Sequence, residues 1–218
     1  MTKDISKYYH SLLEIRERLE VIEERISVLT AVKNLKVEIE FLCLQFRKVL
    51  ELIALLSLVA NKNEYSKYYK KFASQWNAKL ILADLEKINP DFYPVPKKQI
   101  KTIENGSKIY ELAPLDLLEE RLSLGKNGFL NIYEQCGGAL HAKNPYANKK
   151  NILELEKYLV IWLWQIKTLL NNHVIKLCDK KTIVIGILES VDGQTQVCIG
   201  KRNSSKDGIY HIDVSQLR

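Results

Sequence analysis

Ile5, Tyr8, Leu12, Ile15, Leu19, Ile22, Ile26 and Leu29 recur at alternating three- and four-residue steps, with charges such as Glu14, Arg18, Glu23 and Arg25 between them. No other feature constrains the fold so tightly, because that spacing places every apolar side chain on one stripe of a helix. After a one-residue slip the stripe resumes as Val32, Leu35, Ile39, Leu42, Phe46, Val49, Ile53 and Leu56. No glycine or proline occurs before Pro90. Residues 4–60 therefore form either one long helix with a local defect or two helices joined near residues 29–34. Such a seam wants a partner helix. A second subunit would supply it, giving a homodimer through the N-terminal helices, and so would a partner protein or another element of this chain.

Between residues 49 and 60 the pattern turns apolar on nearly every side, so this helix must be surrounded by protein. The run is about half of the ~20 residues a membrane span needs, and it contains Glu51. A core helix, with no membrane partner, is the expectation. The opening Met1-Thr2-Lys3-Asp4 leads into a charged amphipathic helix rather than a signal peptide. Cys43, Cys136, Cys178 and Cys198 are scattered without paired spacing. Reduced thiols in a cytoplasmic protein follow, with neither a disulfide framework nor a zinc site.

Further along, helical spacing continues over roughly residues 64–88, and Pro90, Pro94 and Pro96 then enforce an extended loop. Asn105-Gly106 between Ile103 and Ile109 predicts a two-residue hairpin turn. A short helix near residues 115–124 and a strongly apolar one over 152–170, carrying Trp162 and Trp164, come next. From Val174 onward the runs are short and β-branched, with Val191-Asp192-Gly193-Gln194 as a turn. The expected architecture is mainly α: a helical bundle over residues 1–173 and a small antiparallel β meander over 174–218.

Charge is uneven within the net +7. Residues 62–101 hold nine lysines against four acids, interleaved with Tyr65, Tyr68, Tyr69, Phe72, Trp76, Phe92 and Tyr93. Lysines that neutralise phosphates beside rings that stack on bases make a nucleic-acid surface. An amphipathic helix with core-facing rings and solvated lysines gives the same composition, and ranks ahead of it.

The chemistry concentrates at one helix end. Phe129, Tyr133, Cys136 and Leu140 share an apolar face that includes Gly137-Gly138. Each glycine costs roughly 1 kcal/mol against alanine, so a close approach by another helix or a ligand is expected to repay it. The helix ends at His141-Ala142-Lys143-Asn144-Pro145-Tyr146, where proline forbids continuation. An imidazole, an amide and a phenol are thereby gathered with Lys143. Phosphate-binding loops, zinc-protease spacing and a nucleophile elbow are all missing from the sequence, and the four histidines lie out of helical reach of one another. Arg47 and Glu51, four residues apart, read most simply as an ion pair at the core's edge.

A helical core whose apolar central helix carries Arg47 and Glu51, followed by a helix that ends in His141, resembles the HEPN superfamily of prokaryotic helical-bundle proteins over roughly residues 35–172. Its hallmark is an arginine separated from a following histidine by four to six residues. With His141 in the histidine slot, the arginine slot falls on Glu134, Gln135 or Cys136, none of them basic. The resemblance implies an RNA-binding or RNA-cleaving protein, a defence or toxin-type effector, metal-independent and without cofactor. It implies His141, Asn144 and Arg47 as catalytic residues, and Lys143, Tyr146 and Glu51 as substrate-binding ones. The alternative is a non-catalytic helical interaction protein.

Overall fold

The computed structural model describes residues 2–70, 72–104, 107–142, 146, 151–190, 193–201 and 210–212. The first stripe folds as α1 (Thr2–Ser27) and the second as α2 (Leu35–Ala60), so the two-helix alternative holds. Asn34 starts α2 by accepting a hydrogen bond from the Val37 N–H. Arg25 grips Glu38 with two hydrogen bonds of 2.7 Å, fixing the end of α1 to the start of α2.

Tyr8, Leu12, Ile15, Leu19 and Ile22 are buried within this chain, against α2, the later helix α7 (Glu156–Leu170) and the sheet. The seam offered to a second subunit is thus consumed internally. α2 is the central helix: Leu42, Cys43, Phe46, Val49, Leu50 and Ile53 are sealed, and α1, α4 (Ala78–Ile88) and α6 (Lys126–Leu140) pack around it.

The expected helix over 64–88 is broken. α3 (Lys62–Tyr68) stops at Tyr69, a turn of 3-10 helix spans Phe72–Ser74, and α4 (Ala78–Ile88) restarts behind Asn77, whose side chain caps the Leu80 N–H. Packing explains the break, because Tyr65 rests against Tyr69 and Phe72, folding the chain back on itself. Beyond the proline loop run β1 (Val95–Glu104) and β2 (Ser107–Pro114), paired with Glu104 opposite Ser107. The Asn105-Gly106 turn lies outside the described residues. α5 (Leu117–Leu122), α6 (Lys126–Leu140) and α7 (Glu156–Leu170) complete the helices. Phe46 meets Trp162 edge to face, joining α2 to α7.

β3 (Asn172–Lys176), β4 (Thr182–Ile187), β5 (Gln196–Lys201) and β6 (Tyr210–Ile212) do not stand alone as a C-terminal meander. One antiparallel sheet runs in the order β5-β4-β3-β1-β2-β6, so the central hairpin is built into it. The boundary at residue 173 is crossed again by a side-chain bond. His173 is fully buried, its Nδ1–H donates to Leu170 O at 2.9 Å, and Tyr8 Oη donates to its Nε2 at 2.7 Å. Gly186 lies opposite His173 in the β3–β4 register. A Cβ there would sit 2.4 Å from the ring, so only glycine admits the imidazole.

Candidate functional site

α2 and α6 meet along their lengths, with residues 43–47 of one beside 133–137 of the other. Arg47 is half-buried at this seam. Its Nε donates to Glu51 Oε1 at 3.2 Å, its Nη2 donates to Tyr133 Oη at 2.8 Å, and its Cζ lies 4.2 Å from the Tyr133 ring centroid. The i,i+4 spacing on α2 delivers the carboxylate, and the apolar face of α6 delivers the ring. Lys48 Nζ adds a second, longer contact to Glu51 at 3.8 Å.

Gly137 explains how α6 accommodates the guanidinium. A Cβ there would lie 2.5 Å from Arg47 Nη1, closer than any side chain tolerates. The close approach expected of the paired glycines is made, by an arginine head, at Gly137. Around Gly138 nothing lies within 4 Å, and the structure offers no account of it. Nη1 itself has no hydrogen-bond partner among the described residues.

Cys43 and Cys136 meet one turn from Arg47, both free and buried. A hydrogen bond with Cys43, together with burial, pushes the Cys136 thiol well up, so it stays protonated at neutral pH. Burial likewise raises Tyr133, against the opposing charge of Arg47, which keeps its hydroxyl neutral and able to donate to Glu51 at 3.4 Å.

His141 is the residue after α6, in extended conformation and exposed. It lines an open hollow of about 460 Å3 with Lys36, Glu40, Ala139, Leu140 and Ala142. Among the described residues no hydrogen bond joins it to Arg47, so the structure does not bring these two into direct contact. Along the chain, His141 follows Gly137 by four residues, about 6 Å along a helix axis. Lys143 and Asn144 lie outside the described residues, and Tyr146 is exposed. Tyr133 is the site residue that sequence reasoning left in the core. Its i−4 relation to Gly137 was the available signal.

The lysine-rich aromatic segment divides. Tyr65 and Phe92 are buried, as an amphipathic helix requires, while Tyr68 and Trp76 are exposed. Tyr65, Tyr68, Tyr69, Lys70 and Phe72 line an open cleft of about 530 Å3. Neighbouring charges are largely paired, Lys67 with Glu64 and Lys87 with Asp84. Among the described residues no cluster of His, Cys, Asp and Glu could hold a metal ion, and no helix is long and apolar enough to cross a membrane. Comparison of the chain with protein-family models, curated proteins and solved structures finds no match.

Proposed function

We propose that this protein binds single-stranded RNA along the α2–α6 face and cleaves it, with His141 as the base and Arg47 as the cation that stabilises charge. The observation that carries the reading is the guanidinium seated over Gly137, one helical turn before His141, with Nη1 free of partners among the described residues. In this reading Arg47, reaching across from α2, takes the part of the arginine that Glu134, Gln135 and Cys136 do not supply on α6. The exposed rings of Tyr68 and Trp76 add surfaces on which bases can stack.

In the proposed step His141 accepts the proton of a ribose 2′-hydroxyl, and the 2′-oxygen attacks phosphorus. The 5′-oxygen leaves and takes a proton from solvent, giving a 2′,3′-cyclic phosphate and a 5′-hydroxyl. Arg47 faces the charge that builds on the non-bridging oxygens, while Glu51 and Tyr133 hold its head in place. The same reading assigns phosphate contact to Lys143, substrate orientation to Asn144 and a further substrate contact to Tyr146, the first two lying outside the described residues.

The test compares wild type with His141→Ala and Arg47→Lys on single-stranded RNA, at low and moderate salt, with a chelator present. Wild type is expected to cut, His141→Ala to lose about 100-fold or more in rate while still binding, and binding to weaken steeply with salt. Wild type that neither cuts nor binds RNA at low salt ends this reading. A helical interaction protein would then replace it, a reading that the exposed apolar face of α5 and α7 favours independently.

A further inference from the structure

α5 is six residues long, buries none of its side chains, and still carries three leucines. Helices this short do not persist on their own propensity. α5 is held by a capping box between Asp116 and Glu119 and by the Lys98–Glu119 ion pair at 3.5 Å. Leu117, Leu118 and Leu122 are 78%, 70% and 57% exposed. Burying leucine side chains is favourable, and the monomer leaves most of this apolar surface in water.

α7 presents a matching face. Leu159, Trp162, Leu163, Ile166 and Leu170 turn inward, whereas Val160, Ile161 and Trp164 look out, Trp164 at 68% exposure. The two surfaces adjoin, because the Leu124 N–H just past α5 donates to Gln165 O in the middle of α7, at 3.1 Å. The six outward side chains are each about half exposed or more, so together they approach the area one partner gives to a small interface. A stable interface takes roughly 800 Å2 from each partner, while lone soluble proteins rarely expose patches beyond a few hundred Å2.

The patch also contains both halves of a match. α5 is leucine-rich, and α7 is β-branched and aromatic. A two-fold axis through the patch would lay each α5 on the other copy's α7, seating leucines against Trp164. Such a contact closes on itself. We propose that the α5–α7 face is the interface of a homodimer, each copy covering the other's Trp164.

This surface is distinct from the α1 stripe, whose residues are already buried within the chain. It is also independent of the RNA reading. The test measures the mass of the full chain by light scattering at micromolar concentration, for wild type, Leu118→Glu and Trp164→Glu. Both positions are exposed, so the fold survives substitution, and a circular-dichroism melt verifies it. Wild type is expected as a dimer, and each variant as a monomer whose dissociation constant rises by 100-fold or more. A monomeric wild type overturns the proposal, whether or not it captures some other protein. So does a dimer that either variant leaves intact.

Discussion

Two glycines make room for two polar heads, and what surrounds each head differs. At Gly186 the guest is His173, sealed from solvent, with both ring nitrogens bonded and the ring held between α1 and the sheet. At Gly137 the guest is Arg47, half-buried, with two of its three nitrogens bonded and the third packed against Gly137 without a hydrogen-bond partner among the described residues. A glycine that admits a fully satisfied group makes a joint of the fold. One that admits a group with capacity left over makes a place for something else to bind.

Breaking the closed joint should cost the most. In Gly186→Ala the added carbon would sit 2.4 Å from a ring that two hydrogen bonds pin and no solvent softens. Either the β3–β4 pairing shifts or the Tyr8–His173 bond breaks. Overpacking costs about 1–3 kcal/mol and an orphaned buried partner about as much again. A loss of about 3–5 kcal/mol in urea denaturation is expected, a large share of the stability of a typical domain. A change below about 1 kcal/mol would show that the ring moves freely and the joint is not closed.

Acid attacks the same joint more gently. Burial holds His173 down at about 4, from an ordinary value of 6.5. Between those values the unfolded chain binds more protons than the folded one, so stability is complete above pH 6.5 and is lost as pH falls towards 4. The shift corresponds to about 3 kcal/mol. Asp4 and Asp179 are both held below their usual range, chiefly by hydrogen bonds to Lys62 and Thr182. Their losses therefore come at still lower pH, and the decline from 6.5 to about 4.5 belongs to His173. Denaturation midpoints that stay flat across that window would remove the neutral imidazole from the argument.

Little of this contrast could be read from the sequence. Helix spans were legible wherever apolar spacing ran uninterrupted, as in α1 and α2, because periodicity is a local property. The break between α3 and α4 was not, since Tyr69 and Phe72 turn the chain for the sake of a tertiary ring cluster around Tyr65. His173 looked like a boundary residue, because its partner Tyr8 lies 165 positions away. Gly186 passed unremarked inside an apolar strand. The Arg47–Glu51 pair was legible from its spacing, and Gly137 from the helix it should have weakened. Neither revealed that the arginine would come to that glycine and bring Tyr133 with it.

The smallest stability effect should separate the two places most sharply. Gly137→Ala gains about 1 kcal/mol of helix propensity, and the atom it displaces is the end of a flexible side chain rather than a pinned ring. Denaturation should move by no more than about 1 kcal/mol in either direction. The Arg47 head, however, must leave its place over Gly137, and RNA cleavage is expected to fall at least tenfold. Gly138→Ala is the matched control. Nothing lies within 4 Å of its Cβ position, so it should stabilise the helix slightly and leave cleavage unchanged. If Gly137→Ala destabilises as much as Gly186→Ala, Arg47 is as tightly built in as His173 and the α2–α6 face is a second closed joint. If it is stable and cuts RNA at the wild-type rate, the guanidinium over Gly137 has no part in the reaction.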